Sequence, residues 1–426
     1  MLDQKLIIEN PELIASKLAK KGCVVDFKPF LALVDKRRAL LVKVEDAKKM
    51  RNELSASVPQ VKKAGGDVNA IFAKVKEIMA GVARDEEELA KVEEDIKNFL
   101  LPLPNLPDDD LLPGGKENNK VIHQFGEPQK FDFKAKDHVE LCESLGLIDY
   151  GRAAKMSGHG TWVYTGLGAQ LEWALLNYFI ATHLKDGYTF ILPPHILNYE
   201  SGFVAGQFPK FIDDVFSLEG VSPRKFILPT AETALVNFYR DEILSEDDLP
   251  KKFFAYTPCY RKEAGAYRTE ERGMIRGYQF NKIEMFQYTT EEGDQPAFEE
   301  LVNKAIELVK GLGLTFRVSK LAAEDISASM ARTYDIEVYI PSVGIYKEVS
   351  SVSTAHDYQA RRGMIRYRDK ATGKVKFART LNGSGLATSR IFPALVEQMQ
   401  QPDGSIKIPE VLRPYMGGLE YIKPQK

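Results

Sequence analysis

Four arginines, Arg261, Arg268, Arg272 and Arg276, fall within sixteen residues of the stretch "CYRKEAGAYRTEERGMIRGYQFNKIEMF" (259–286), with Glu263, Glu270 and Glu271 between them. Guanidinium groups grouped in this way suit bidentate contact with phosphate or carboxylate. Both flanks have the composition of strands, on which side chains alternate between faces. Arg276, Tyr278, Phe280, Lys282, Glu284 and Phe286 share one face of the later strand, and Arg261 and Glu263 share one face of the earlier. A hairpin would present Arg261, Glu263, Arg276, Phe280 and Glu284 together. The arginines can hold phosphates, the ring can stack on a purine, and the deeper carboxylate can accept from an ammonium or a hydroxyl. The same residues could equally form a surface ladder of cross-strand ion pairs.

Two later stretches carry chemistry of the same kind. In "YKEVSSVS" (346–353), Glu348 is followed three residues on by Ser351, a carboxylate and a hydroxyl able to hold Mg²⁺. A polar strand end reads the same way. In "RTLNGSGLATSRIFPALVE" (379–397), a strand ends in Asn382-Gly-Ser384-Gly and a helix begins at about Leu386, with Arg390 one turn in. Glycines permit close backbone approach there, and a helix N-terminus beside an arginine can face an anion. A plain turn between strand and helix is the alternative.

These segments need a scaffold. Strand-like runs at 188–194, 225–230, 251–263, 276–289, 314–321, 334–353, 363–369 and 375–383 follow one another with hairpin-length gaps. Helical patterns at 168–184, 231–241, 292–313 and 386–400 intervene irregularly. This predicts an α+β fold with a mostly antiparallel sheet flanked by helices, not a regular βαβ repeat. No GxGxxG and no GxxxxGK[ST] occurs, so neither a dinucleotide fingerprint nor a P-loop is supported.

The first hundred residues follow another pattern. Leu33, Leu40, Val44, Ala47, Leu54, Val58 and Val61 keep a heptad stripe interrupted by Arg37 and Arg51. Ile71, Val75, Ile78, Val82, Leu89, Val92 and Ile96 keep a second, broken at Asp85. "AGGDVN" (64–69) between them supplies helix-ending glycines and a capping aspartate. An antiparallel helical hairpin over about 30–98 follows, each arm about 45 Å long. Residues 30–64 carry a net charge of +5 and residues 67–98 a net of −4. The basic helix could track a phosphate backbone, or the pair could be a solvated spacer. Residues 101–120, rich in proline and acid, read as a linker, giving domains of 1–100 and 121–426.

Composition sets outer bounds. The chain has 426 residues and a formal charge of −2, so any nucleic-acid surface must be local. Cys23, Cys142 and Cys259 are far apart and form no CxxC, which argues against a disulfide framework or a cysteine-rich zinc site. Neither a secretory signal nor an apolar run of membrane-spanning length is present, and the cytoplasm is the expected compartment.

Taken together, "LPTAET" (228–233), "YRKEAGAY…RGMIRGYQFNKIE" (260–284), "YDIEVYIPS…YKEVSS…YQARR" (334–362), "TLNGSGLA…R" (380–390) and "DGSIKIPEVLRPYMGG" (403–418) resemble the class II aminoacyl-tRNA synthetases, and within them the seryl-tRNA synthetases of bacterial type. The resemblance covers essentially the whole chain, including the hairpin arm and proline linker. It implies a homodimer with "GYTFILPP" (187–194) at the interface, and ATP with Mg²⁺ as cofactors. It also implies a two-step reaction: the serine carboxylate attacks the α-phosphorus of ATP, and a ribose hydroxyl at the end of tRNA(Ser), or of tRNA(Sec) where present, takes the seryl group.

By matching position, Arg261 would grip the α-phosphate and the serine carboxylate, Glu263 would contact the adenine side, Arg276 would belong to the loop over the phosphates, and Phe280 would stack on adenine. Arg390 would hold the γ-phosphate, with Glu348 and Ser351 as Mg²⁺ ligands. Thr230, Glu232, Glu284, Asn382 and Ser384 would form the serine pocket. Lys36, Arg37, Lys43, Lys48, Lys49 and Arg51 would meet tRNA.

The chain departs from the family pattern in places. "YRTEERG" (267–273) replaces the usual loop, Tyr278 stands where histidine is common, Val352 and Thr354 replace cysteine and asparagine, and Ser389 replaces a glycine. The altered loop lies where the tRNA acceptor end is expected. A paralogue that serves another acceptor, or that confers resistance to a serine-analogue inhibitor, is therefore the second reading. A non-catalytic tRNA-binding protein is a third.

Overall fold

The two heptad stripes fold as helices α1 (Lys28–Lys63) and α2 (Val68–Leu100). Ion pairs Lys36–Glu88 at 2.8 Å and Lys43–Asp85 at 2.7 Å connect them in opposite chain sense, so the hairpin is antiparallel. The turn is built as the sequence predicts: Gly65 takes φ +72°, and the Asp67 carboxylate accepts from the amides of Asn69 and Ala70. Leu40, Val44, Val82, Val92 and Ile96 are buried along the seam. Asp85, the polar break in the stripe, sits in that seam and is answered by the Lys43 ammonium. Toward the tip, Leu54, Val58, Ile71 and Ile78 are only half-buried, as two helices without a third layer require.

This computed structural model describes residues 1–263 and 273–424, in two compact units. The hairpin belongs to the unit formed by Leu2–Ala19 and Cys23–Leu103; the other runs from Pro104 onward and includes Met1 and Lys20–Gly22. No helix among the described residues is long and apolar enough to cross a membrane.

The second unit is organised on an eight-stranded sheet. Its strands are β1 (Lys120–Phe125), β2 (Thr189–Ile191), β3 (Lys251–Tyr260), β4 (Gln279–Thr289), β5 (Phe316–Lys320), β6 (Arg332–Ile340), β7 (Ile345–Thr354) and β8 (Arg379–Ala387). They lie in the order β1-β5-β6-β7-β8-β4-β3-β2, every neighbour antiparallel except β2 and β3. Helices α3 (Leu167–Lys185), α4 (Asp294–Gly311) and α5 (Thr388–Gln398) contribute Phe179, Leu301 and Phe392 to the main core, which Ile283 and Met285 of β4 enter from the sheet. Strand alternation then turns Phe280, Lys282 and Glu284 to the opposite face.

Several boundaries differ from the sequence reading. The helix expected over 231–241 is α-helical only at Glu232–Leu235. Beyond it Asn237 Nδ2 donates to the Thr233 carbonyl at 2.9 Å, competing for a helix acceptor, and the chain continues in three-residue turns. β2 stops at Ile191, short of Pro193 and Pro194, which cannot donate to a ladder. β3 ends at Tyr260 and β4 starts at Gln279, so Arg261, Glu263 and Arg276 stand beyond the strand ends instead of within the ladder. Residues 104–112 follow the surface of their unit: Asn105 Nδ2 donates to the carbonyls of Ser329 and Ala355, and Asp108 pairs with Arg332 at 2.6 Å.

Candidate active site

The face of β3, β4, β8 and β7 turned away from the main core carries the chemistry. β4 sets Phe280 opposite Cys259 and Lys282 opposite Thr257 on one side, and Glu284 opposite Ser384 on the other. Asn382 shares the Ser384 face two residues earlier, and pairs with Ser353 of β7. Just past β3, the Arg261 amide bonds the Tyr278 carbonyl at 3.0 Å, which continues the hairpin by one rung. Its guanidinium lies 5.1 Å from the Phe280 ring centre, and its Nε donates to the Pro229 carbonyl at 3.2 Å. Glu263 adopts φ +47°, and its carboxylate meets Arg276 at 3.2 Å. Gly277 is required by packing: a Cβ there would come within 2.2 Å of the Trp162 ring.

Arg261, Glu263, Arg276, Phe280, Glu348, Ser384 and Arg390 line a single cleft. Across it, Arg390 Nη1 donates to the Glu348 carbonyl and carboxylate. Burial opposes charge on Glu348, but Arg390 and Arg261 outweigh it and hold its carboxyl below the ordinary value. Arg268, Glu270, Glu271 and Arg272, and with them most of the 267–273 loop, lie outside the described residues.

At the floor of the cleft is a buried polar cluster. The Lys282 ammonium joins Glu284 Oε2 at 2.5 Å to Thr230 Oγ1 at 2.7 Å. Asn382 Nδ2 donates to Glu284 Oε1 at 2.9 Å, and Ser384 Oγ stands 3.5 Å from Oε2. Glu232 accepts from Gln359 Nε2 at 2.8 Å, and Thr380 Oγ1 in turn donates to Gln359 Oε1. Burial, assisted by the negative charge of Glu284, pushes the Glu232 carboxyl up to about 7. Two carboxylates and one ammonium in a closed polar pocket suit a small zwitterion that brings a second ammonium.

Strict alternation would put Glu348 and Ser351, three apart, on opposite faces. A register shift against β6 leaves Val349 unpaired, so Glu348 faces Glu337 while Ser351 faces Asp335, and both then point to one side. Asp335 Oδ1 is buried and unpartnered, and burial together with the Glu348 charge raises its carboxyl well above the usual range. No group of three or more His, Cys, Asp or Glu side chains converges as a metal centre among the described residues.

Sequence reading missed Lys282, Gln359 and Asp335. Alternation places Lys282 on the Glu284 face, and its position two before Glu284 is the available signal. Gln359 and Asp335 reach the site through tertiary contacts that no local pattern announces. The six cations named on the arm lie in the other unit. Lys36, Arg37, Lys43 and Lys48 pair with Glu88, Glu93, Asp85 and Glu86 of α2, and Arg51 donates to Asn52, whereas Lys49 meets no acid within pairing distance among the described residues.

Comparison with known proteins agrees over both units. Residues 1–107 match the family model of the seryl-tRNA synthetase N-terminal domain, and residues 216–399 that of the tRNA synthetase class II core domain (G, H, P, S and T). Serine--tRNA ligase 2 of Clostridium acetobutylicum is 59% identical, covering 98% of this chain and 99% of the relative. Serine--tRNA ligase of Thermodesulfovibrio yellowstonii is 42% identical over 98% and 99%. The crystal structure of seryl-tRNA synthetase from Pyrococcus horikoshii complexed with ATP superposes with a TM-score of 0.93 at 31% identity, covering 100% of both chains. With a class II sheet, a hairpin arm and relatives of this identity along its full length, the chain belongs to the seryl-tRNA synthetase family of class II aminoacyl-tRNA synthetases.

Proposed function

We propose that the protein activates L-serine with ATP to seryl-adenylate and pyrophosphate, and transfers the seryl group to tRNA(Ser) in the cytoplasm. The observation that carries this is the junction of two sites on one sheet face: a cleft of arginines with an aromatic ring opens onto a buried pocket of carboxylates and hydroxyls. Serine bound with its ammonium and hydroxyl toward Glu284, Thr230 and Ser384 would turn its carboxylate back to Arg261. Phe280 would stack on adenine, with Glu263 on the adenine side and Arg276 over the phosphates. Arg390 would take the γ-phosphate. The residues then contribute positioning and charge neutralisation: in-line attack of the carboxylate oxygen on the α-phosphorus forms the mixed anhydride, and pyrophosphate leaves.

The oxygens of Glu348, Ser351 and Asp335 fit Mg²⁺. The unpartnered buried oxygen of Asp335 supports this fit, since hard carboxylate and hydroxyl ligands suit that ion. When bound, the ion would neutralise charge on the phosphates. A homodimer is supported by the exposed apolar side chains Leu192, Ile196 and Phe238, which line a groove of about 550 Å³ together with Pro193 and Pro194. The basic side of the arm supports contact with tRNA, with domains of 1–100 for that contact and 121–426 for catalysis. Serine-dependent exchange of labelled pyrophosphate into ATP tests the activation step.

The altered loop at 267–273 favours a second reading, an enzyme specialised for another acceptor or for resistance to a serine-analogue inhibitor. Charging of tRNA(Ser) with and without such an inhibitor, compared with a variant carrying the usual loop, distinguishes the two.

A further inference from the structure

Lys282 is a buried charge that the reaction set out above leaves without a task. It is 6% exposed, and a buried ammonium is retained only where its partners compensate for lost water. Those partners are Glu284 Oε2 and Thr230 Oγ1. They are also two of the acceptors assigned to the substrate's ammonium. A primary ammonium offers three donors and seeks the same acceptors whether it ends a lysine or begins an amino acid. Two such cations in one closed pocket repel each other strongly. The Lys282 charge is also felt by Glu232 and Glu348, and Arg261 lines the same cleft. Lys282 Nζ already occupies the Glu284 and Thr230 acceptors that the substrate ammonium would use, so the two compete for the same oxygens.

We propose that Lys282 is a resident stand-in for the substrate ammonium, displaced when serine binds. Bonded to Glu284 and Thr230, it neutralises the carboxylate and keeps the pocket ordered. On binding, the serine ammonium takes over Glu284 and Thr230. The released ammonium swings into the cleft that Lys282 already lines beside Arg261 and Arg390. There the serine carboxylate and the α-phosphate, both anionic, must approach each other. One exchange would thus select ligands that carry an ammonium and deliver positive charge to the reacting centre. Lys282 thereby becomes a specificity-determining and positioning residue. This rests on reading the cleft as a serine and ATP site.

The test uses the full-length protein and Lys282→Met, which keeps length and removes charge. Calorimetric binding of serine without ATP is expected to tighten about tenfold in the variant, because the internal competitor is gone and Glu284 lacks a counterion. The rate of pyrophosphate exchange at saturating serine is expected to fall about 100-fold. A merely structural lysine would weaken binding and rate together, and weaker or unchanged serine binding overturns the proposal. Should Lys282→Met fail to fold, a crystal structure of the wild-type protein with serine decides. Nζ is expected to have left Glu284; Nζ still bonded to Glu284 beside bound serine overturns it. If the wild-type protein shows no serine-dependent exchange, the serine reading itself falls and the proposal with it.

Discussion

Arg390 reaches across the cleft and holds Glu348 twice through one nitrogen, at 2.7 Å to its backbone carbonyl and 3.0 Å to its carboxylate. An arginine rooted in the first turn of α5 is thereby set against a carboxylate of β7. On the proposed reading, nucleotide and metal would part this pair, giving the arginine a phosphate and the carboxylate a cation in exchange.

Arg390→Ala is therefore expected to lower kcat/KM for ATP about 100-fold or more in pyrophosphate exchange. Glu348→Gln is expected to raise the Mg²⁺ concentration needed for half-maximal rate. Circular dichroism should show both variants folded, since the pair is partly open to solvent. A near-normal ATP dependence of Arg390→Ala would contradict the assignment.

Selection of serine is expected to rest on Glu284. Its Oε1 is held by Asn382 and its Oε2 faces Ser384. Glu284→Ala should lower kcat/KM for serine at least about 100-fold while ATP affinity, measured by nucleotide binding, changes little. Asn382→Ala should act in the same direction but less, because it orients the carboxylate and leaves the charge in place.

His356 gives the second unit a pH signature. Burial works against its charge, but Asp108 at 2.8 Å from Nε2 and Asp294 beside Nδ1 outweigh this and hold the ring up to about 9. A folded value raised above the unfolded one contributes stability that is full below about pH 6.5 and is lost as pH rises through about 9. His356→Gln should cost about 2 kcal/mol near pH 6, after discounting for solvent access, and the gap should close above pH 9. Denaturant titrations at the two pH values check this.

How far the sequence announced this site depends on how local each feature is. The hairpin arm was legible because its heptads and its turn are local; even Asp85, the break in the stripe, is explained by Lys43. The shared face of Phe280 and Glu284 followed from alternation alone. That Glu348 and Ser351 point the same way did not, because a bulge at Val349 overrides alternation and depends on the partner strand. Asp335 and Gln359 were invisible for the same reason: their partners lie on distant segments. Lys282 falls on the same face by alternation, but a lysine beside a glutamate on a strand reads first as a surface pair. On the arm, sequence gave charge and could not give pairing. Four of the six expected tRNA contacts are engaged with α2, although such exposed pairs are weak and exchange readily for phosphates.

Arg38 and Lys49 carry no acidic partner within 4 Å among the described residues. The double variant Arg38→Glu with Lys49→Glu is expected to raise KM for tRNA and to reduce the salt dependence of tRNA binding by about one unit of slope per lost phosphate contact. Pyrophosphate exchange should be unchanged. Deleting 35–95 should spare serine activation and abolish charging; equal charging without the arm would refute its role.

The most direct test of the account is charging of bulk tRNA by the purified protein with labelled serine, ATP and Mg²⁺. Robust incorporation that depends on serine and ATP is expected, with alanine and threonine rejected. A folded protein that exchanges pyrophosphate but charges no tRNA would contradict transfer to tRNA(Ser) and shift the reading to an enzyme serving another acceptor, while one that does neither would contradict serine activation itself.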